Sequence, residues 1–118
     1  MENGKEGVNM IVLSTKLKNA IKKNSGDMDL KFTLKNISIN GRKTGCSGFV
    51  RNMENNSVIY VDSEEPCLSN LHYMYRYADG EKDYTGYHNR WSNTLEDLAL
   101  NICKCLGKTP KEANDFRI

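Results

Sequence analysis

The chain has 118 residues, 38% hydrophobic and 27% charged, with a formal net charge of +2. That composition describes one soluble domain, 1–118, with a core of moderate size, and so small a charge excludes a protein built to track duplex DNA. No apolar run approaches the roughly 20 residues that cross a bilayer, and the longest near the N-terminus, Met10-Ile11-Val12-Leu13, is too short for a signal-peptide core.

Residues 1–9 are polar and read as a flexible tail. Met10–Leu13 reads as a short buried strand, after which Ser14 and Thr15 cap a helix. Leu17, Ala20 and Ile21 form its apolar stripe, with Lys16, Lys18, Lys22 and Lys23 on the wet side. Asn24-Ser25-Gly26-Asp27 ends it. Leu30, Phe32 and Leu34 alternate as a strand face should, and Ile37 and Ile39 alternate with the opposite parity. A period of two changes parity only through an extra residue, which predicts a bulge at Lys35-Asn36. Asn40-Gly41 predicts a hairpin turn. The return strand runs from Arg42 or Lys43 to Asn52 and contains Gly45-Cys46-Ser47-Gly48, where the backbone is bare for close approach by another chain or a ligand.

Glu54–Ser57 predicts the next turn, and Val58–Val61 a central strand. Asp62–Asn70 reads as a loop. Leu71, Tyr73, Tyr75 and Tyr77 then share one face of a strand, with His72, Met74 and Arg76 on the other. Ala78–Glu81 breaks it. The last element is a helix over 94–106, with Asn93 and Glu96 at capping-box spacing and Leu95, Leu98, Ile102, Cys105 and Leu106 as its stripe. Gly107 and Pro110 stop it, and residues 111–118 read as a second flexible tail. The expected order is strand, helix, four strands, helix: an α+β domain whose small antiparallel sheet carries an N-terminal and a C-terminal helix.

Nothing in this pattern assembles a catalytic set. The two histidines, His72 and His88, have no sequence partner that makes a base and nucleophile, and pairing Cys46 with His88 has no signature behind it. Cys46, Cys67, Cys103 and Cys105 lack redox or zinc spacing and read as reduced thiols of a cytoplasmic protein. The expectation is a binder without enzyme activity, metal or cofactor.

The binding chemistry concentrates in Asp83-Tyr84-Thr85-Gly86-Tyr87-His88-Asn89-Arg90-Trp91, directly ahead of a helix N-terminus. Arg90 offers two parallel hydrogen bonds to a phosphate, Asn89 an amide for a base edge or ribose hydroxyl, and Tyr84, Tyr87 and Trp91 offer rings. Trp91 has a second reading, as the anchor of the C-terminal helix, and Arg90 as an exposed surface charge. Arg76 is either a surface charge or a phosphate clamp. The tyrosine ladder on its strand is either packing or a stacking surface. Ser47 and Phe49 beside their glycines mark either a strand irregularity or a place where backbone amides meet phosphate.

Three islands in this order, Ile11–Lys18, Gly45–Phe49 and Asp83–Gly86 with Asn89 and Trp91, resemble the first family of Thoeris anti-defence proteins. These are small phage proteins of the infected bacterial cytoplasm. The resemblance implies a sponge that sequesters glyco-cyclic ADP-ribose signals without cleaving them, so that the Thoeris effector stays inactive. It also implies dimers or hexamers with pockets between subunits and, in some members, capture of cyclic trinucleotides at separate sites. Arg90, Asn89, Tyr87, Trp91, Tyr84, Arg76, Ser47 and Phe49 are the expected ligand contacts, with Arg117 in the tail as a further candidate. The competing expectation is a protein-binding inhibitor of a host defence factor. A third reading, a binder of single-stranded nucleic acid, fits the near-neutral charge poorly.

Overall fold

The computed structural model describes residues 12–39, 41–64, 73–84 and 90–108. Leu13, Leu17 and Ile21 stand four apart, the spacing of one helical face, and all three are buried on α1 (Leu13–Asn24). The helix starts ahead of the expected Ser14-Thr15 cap. Val12 is its N-cap, without a side-chain bond, and the Thr15 and Lys16 amides both donate to the Val12 carbonyl at 3.1 Å. Leu13 therefore belongs to a helix and not to the expected strand, while Met10 and Ile11 lie outside the described residues. Lys22 and Lys23 fill the last turn, where the helix dipole favours positive charge.

Five strands follow: β1 (Leu30–Ile39), β2 (Arg42–Asn52), β3 (Val58–Glu64), β4 (Tyr73–Ala78) and β5 (Arg90–Ser92), and then α2 (Leu95–Leu106). The sheet is an antiparallel meander in the order β1-β2-β3-β4-β5, with β3 at its centre. Together with the two helices this is the expected α+β architecture, but among the described residues the order is helix, five strands, helix: the first expected strand is not seen, and β5 stands where the loop ahead of the last helix was expected. Gly41 takes φ 80° in the β1–β2 turn, as the Asn-Gly pair predicts; Asn40 lies outside the described residues. Asp62 to Glu64 continue β3 where a loop was expected, because they remain paired with β2, and Asp62 and Ser63 also with β4.

The bulge expected at Lys35-Asn36 is absent from that position. β1 and β2 stay in register from Leu30↔Asn52 through Ile37↔Gly45, and the shift falls between Ile37 and Ile39. Asn36 keeps the helix-side parity and accepts a hydrogen bond from the Ser14 hydroxyl of α1. Ile37 simply faces outward, 39% exposed.

Both helices lie on one face of the sheet. Leu13, Leu17 and Ile21 of α1 and Leu98, Ile102 and Leu106 of α2 form one core with Cys46, Val50, Ile59, Val61, Tyr73, Tyr75 and Tyr77. Every sheet residue in that set has the same parity, so alternation alone sorts the strands into a helix face and an outer face. The tyrosine ladder is thus packing. Gly48, in the middle of β2, adopts φ 147°, and a Cβ there would sit 2.0 Å from the Thr33 carbonyl oxygen. The chain that approaches this bare backbone is β1 of the same sheet.

The cap of α2 is Thr94, one residue later than expected: its side chain accepts from the Asp97 amide at 3.1 Å. At the other end, the β2–β3 turn satisfies the free carbonyls of the helix. The Asn52 and Asn55 side-chain amides donate to the Leu106 carbonyl at 2.8 and 3.0 Å, and Asn55 also to Lys108 at 2.9 Å. The same turn is shaped by asparagine carbonyls that accept from the Glu54 and Ser57 amides, both at 2.9 Å. No helix among the described residues is long and apolar enough to cross a membrane.

Candidate functional site

The outer face carries no helix among the described residues, and strand register fixes what it presents. One cross-strand row reads Lys35, Ser47, Asp62, Met74, Trp91 from β1 to β5. The next reads Thr33, Phe49, Tyr60, Arg76 from β1 to β4. Neighbouring strands lie about 4.8 Å apart, so the first row is roughly 19 Å long, room for a nucleotide lying flat.

Over the second row the chain doubles back. Residues 79–84 leave β4 and cross the outer face as a strap. Glu81 reaches β1 and β2: it pairs with Lys31 at 3.2 Å and Arg51 at 3.1 Å, and accepts from the Thr33 hydroxyl at 3.1 Å. Those partners, Arg51 first, hold the Glu81 carboxyl below the ordinary glutamate range. Three residues on, Tyr84 lays its ring edge against Phe49, with centroids 5.2 Å apart, and against Tyr60 at 5.9 Å. Phe49 and Tyr60 meet each other at 5.2 Å. The result is a second, smaller aromatic cluster on the side away from the helices. Phe49 is fully buried in it, whereas Tyr84 is 59% exposed.

Arg76 is the cation of this cluster and is only 3% exposed. Its guanidinium stacks 4.6 Å from the Tyr60 ring centroid and donates to the Asp83 carbonyl at 2.6 Å and the Tyr77 carbonyl at 3.2 Å. The Asp83 carboxylate lies 3.4 Å away. The Ser47 and Tyr60 hydroxyls share a hydrogen bond at 3.3 Å. Next to them Asp62 is exposed, its carboxyl raised above the ordinary range by partial desolvation and then by the neighbouring Glu64.

Four of the expected contacts, Ser47, Phe49, Arg76 and Tyr84, therefore come together although they sit in three separate stretches of sequence. Trp91 lies on the same face at the β5 end, 49% exposed. It is not the anchor of α2; that link is the Asn101 amide donating to the Ser92 hydroxyl at 2.9 Å. Arg90 alternates to the helix face, half-buried, with its guanidinium 5.2 Å from the Tyr77 ring centroid. Neighbouring positions on a strand point to opposite sides, so Arg90 and Trp91 cannot act from one face. Asn89, Tyr87 and Arg117 lie outside the described residues. No protein-family model, curated protein or solved structure matches this chain.

Tyr60 and Asp62 belong to the site and were missed in the sequence. Counting back from a turn at Glu54–Ser57 pairs Phe49 with Asp62; the turn instead closes between Asn52 and Ser57, which shifts the register by two and pairs Phe49 with Tyr60 and Ser47 with Asp62, with the same residues still on the outer face. Among the described cysteines, Cys46, Cys103 and Cys105 are free and buried on the helix side. Burial pushes the Cys46 thiol up to about 12 and Cys103 to about 11, so both stay protonated at neutral pH and neither is an activated nucleophile. His88 and Cys67 lie outside the described residues, as does His72. Among the described residues, no three His, Cys, Asp or Glu side chains group as metal ligands. The outer face thus offers rings, hydroxyls, a carboxylate and cations: equipment for holding a polar, ring-bearing ligand.

Proposed function

We propose that this chain captures a cyclic ADP-ribose-type signal nucleotide on the outer face of its sheet and holds it unaltered, as a phage sponge against Thoeris immunity. The observation that carries this reading is the meeting of Ser47, Phe49, Arg76 and Tyr84 in one cluster, with Trp91 exposed on the same face. The ligand's parts match these groups in turn. Its adenine has two faces for Trp91 or Tyr84 to stack on. Its ribose hydroxyls suit the Asp62 carboxylate and the Ser47 hydroxyl. Its pyrophosphate suits Lys35 at the β1 end and the guanidinium beneath the strap.

Sequestration at nanomolar signal needs about −12 kcal/mol, and each stacked base supplies about 1–3 kcal/mol. One exposed face falls short of that sum. A second copy closing over the first, in a homodimer or a larger even assembly, removes the remaining water and strengthens each polar contact. Glyco-cyclic ADP-ribose is the expected ligand, with cyclic trinucleotides as further candidates.

The test is capture and release. Protein is mixed with glyco-cyclic ADP-ribose, free ligand is filtered away, and the complex is heat-denatured. Intact signal is expected in the released fraction. A linear product would mean cleavage, and full recovery in the first filtrate would end the reading. Exposed Trp91 and Tyr84 on one face also favour a protein-binding inhibitor, since such rings anchor protein interfaces. A panel of cyclic ADP-ribose isomers and cyclic oligonucleotides that leaves the melting temperature unchanged, alongside a stoichiometric host protein retained in pull-down, would favour that second reading.

A further inference from the structure

Arg76 is held more by backbone than by charge. A guanidinium this deeply buried needs a full set of acceptors, and its best partners here are two backbone carbonyls. Its carboxylate partner among the described residues, Asp83, stands at 3.4 Å, well beyond the 2.7–2.9 Å of a strong charge-assisted bond. That same Asp83 oxygen makes a better bond elsewhere, accepting from the Asp79 amide at 2.9 Å within the strap's own turn. The strap therefore holds this carboxylate oxygen closer to its own turn than to the guanidinium. Tyr84, one residue later, is the exposed edge of the cluster that roofs Phe49 and Tyr60.

We infer that Asp83 is a built-in competitor at an anion subsite on Arg76: a phosphate or pyrophosphate group displaces the Asp83 carboxylate and takes its place. This rests on the nucleotide-binding reading and adds to it a gate. In the free protein the strap carboxylate neutralises the guanidinium and blocks the subsite. An incoming phosphate presents more acceptor oxygens and more charge than one carboxylate at 3.4 Å, so the exchange favours the ligand. The displaced Asp83 keeps its bond to the Asp79 amide, which limits the cost of letting it go. Small monovalent anions with weak hydrogen bonding gain little from the exchange, so the competitor also selects for phosphate-bearing ligands.

The experiment titrates inorganic pyrophosphate and, separately, cyclic ADP-ribose into the full chain by calorimetry. The proteins are the parent, Asp83→Asn, Asp79→Asn and the double variant Asp83→Asn/Arg76→Gln. Asp83→Asn keeps the backbone carbonyl that holds Arg76 and removes only the competing charge. It should bind pyrophosphate about tenfold more tightly than the parent, the worth of one hydrogen bond to a charged group. Pyrophosphate should also raise its melting temperature more than the parent's. The double variant, which removes both charges together and so leaves neither unpaired, should lose that gain. Asp79→Asn removes a charge from the same strap without uncovering Arg76 and should stay near the parent. Equal pyrophosphate affinity in the parent and Asp83→Asn would overturn the inference, as would a gain that survives in the double variant. A pyrophosphate gain without cyclic ADP-ribose binding would sink the nucleotide reading and leave the exchange standing. Cyclic ADP-ribose binding that is equal in the parent and Asp83→Asn, with no pyrophosphate gain, would do the reverse.

Discussion

On β2, Cys46 and Val50 are sealed between the sheet and the two helices, while Ser47 and Arg51, one residue along, touch hydroxyls and carboxylates within reach of water. The same strands thus build two surfaces with opposite rules. On the helix side almost every contact is apolar, so a lost methylene leaves a void that nothing fills. On the outer side the contacts are rings, hydroxyls and ion pairs linked through a short strap. Most of its charged groups keep some solvent, so single changes there should cost little stability. A protein can therefore place a ligand site on the outer face without weakening its core. The two faces should respond to mutation in different currencies, one in folding and one in binding.

The hardest way to break the molecule lies between the faces, at Gly48. An alanine there would force φ 147° on an L side chain and drive its Cβ into the Thr33 carbonyl. Strain and overpacking together should cost about 3 kcal/mol or more, read as a collapse of the urea midpoint or loss of soluble protein. A mild effect would mean that β1 separates easily from β2. Next comes the helix side itself. Leu17→Ala and Ile102→Ala remove fully buried side chains from the shared core, and each should cost about 2–5 kcal/mol in denaturant titration. If either costs less than a surface change does, the distinction between the faces fails.

Much of this division was legible in the sequence. Alternation in β4 correctly put the three tyrosines opposite Met74 and Arg76, and the stripe of α2 named most of its buried residues. Leu13, Leu17 and Ile21 carried an equally clear helical spacing, but Leu13 was absorbed into an apolar tetrapeptide that looked like a strand. Ile37 misled for a different reason. An apolar residue was assumed to need burial, and the bulge was placed upstream to provide it, whereas the sheet leaves Ile37 in water. The site was less legible because its logic is not periodic. β5 has three residues, too few for alternation to show that Arg90 and Trp91 part company. The strap is held by Glu81 to Lys31, Thr33 and Arg51, partners 30 to 50 positions away that no local pattern connects.

Trp91 sharpens the contrast from the outer side. It is half in water, and among the described residues its strand partner is Met74. Trp91→Ala should leave the melting temperature close to the parent's while weakening binding of glyco-cyclic ADP-ribose by about 1–3 kcal/mol, the worth of one stacked base. Binding at full strength would move the ligand off this row. A matching fall in stability would mean that Trp91 packs as a core residue does.

The smallest expected effect is the one that isolates the strap. Glu81 is held below its ordinary range by Arg51 and then Lys31, so its folded state binds a proton less readily than its unfolded state. The sign follows from linkage: the pairing contributes in full above the unfolded value, about pH 4.3, and fades as pH falls through the lower folded value. Glu81→Gln should therefore lower stability slightly at neutral pH, by less than about 1 kcal/mol for pairs that keep some solvent, and the gap to the parent should close as pH falls below about 4.3. The strap's own behaviour should shift more than the fold's. With Glu81 neutral, the anchor to β1 and β2 weakens while Asp83 and Arg76 are untouched, so amide exchange over 79–84 should quicken at neutral pH with the α1 and α2 amides unchanged. Exchange that quickens equally in the helices would show the two faces to be one cooperative unit, and the strap would then be part of the core and not a gate laid across the site.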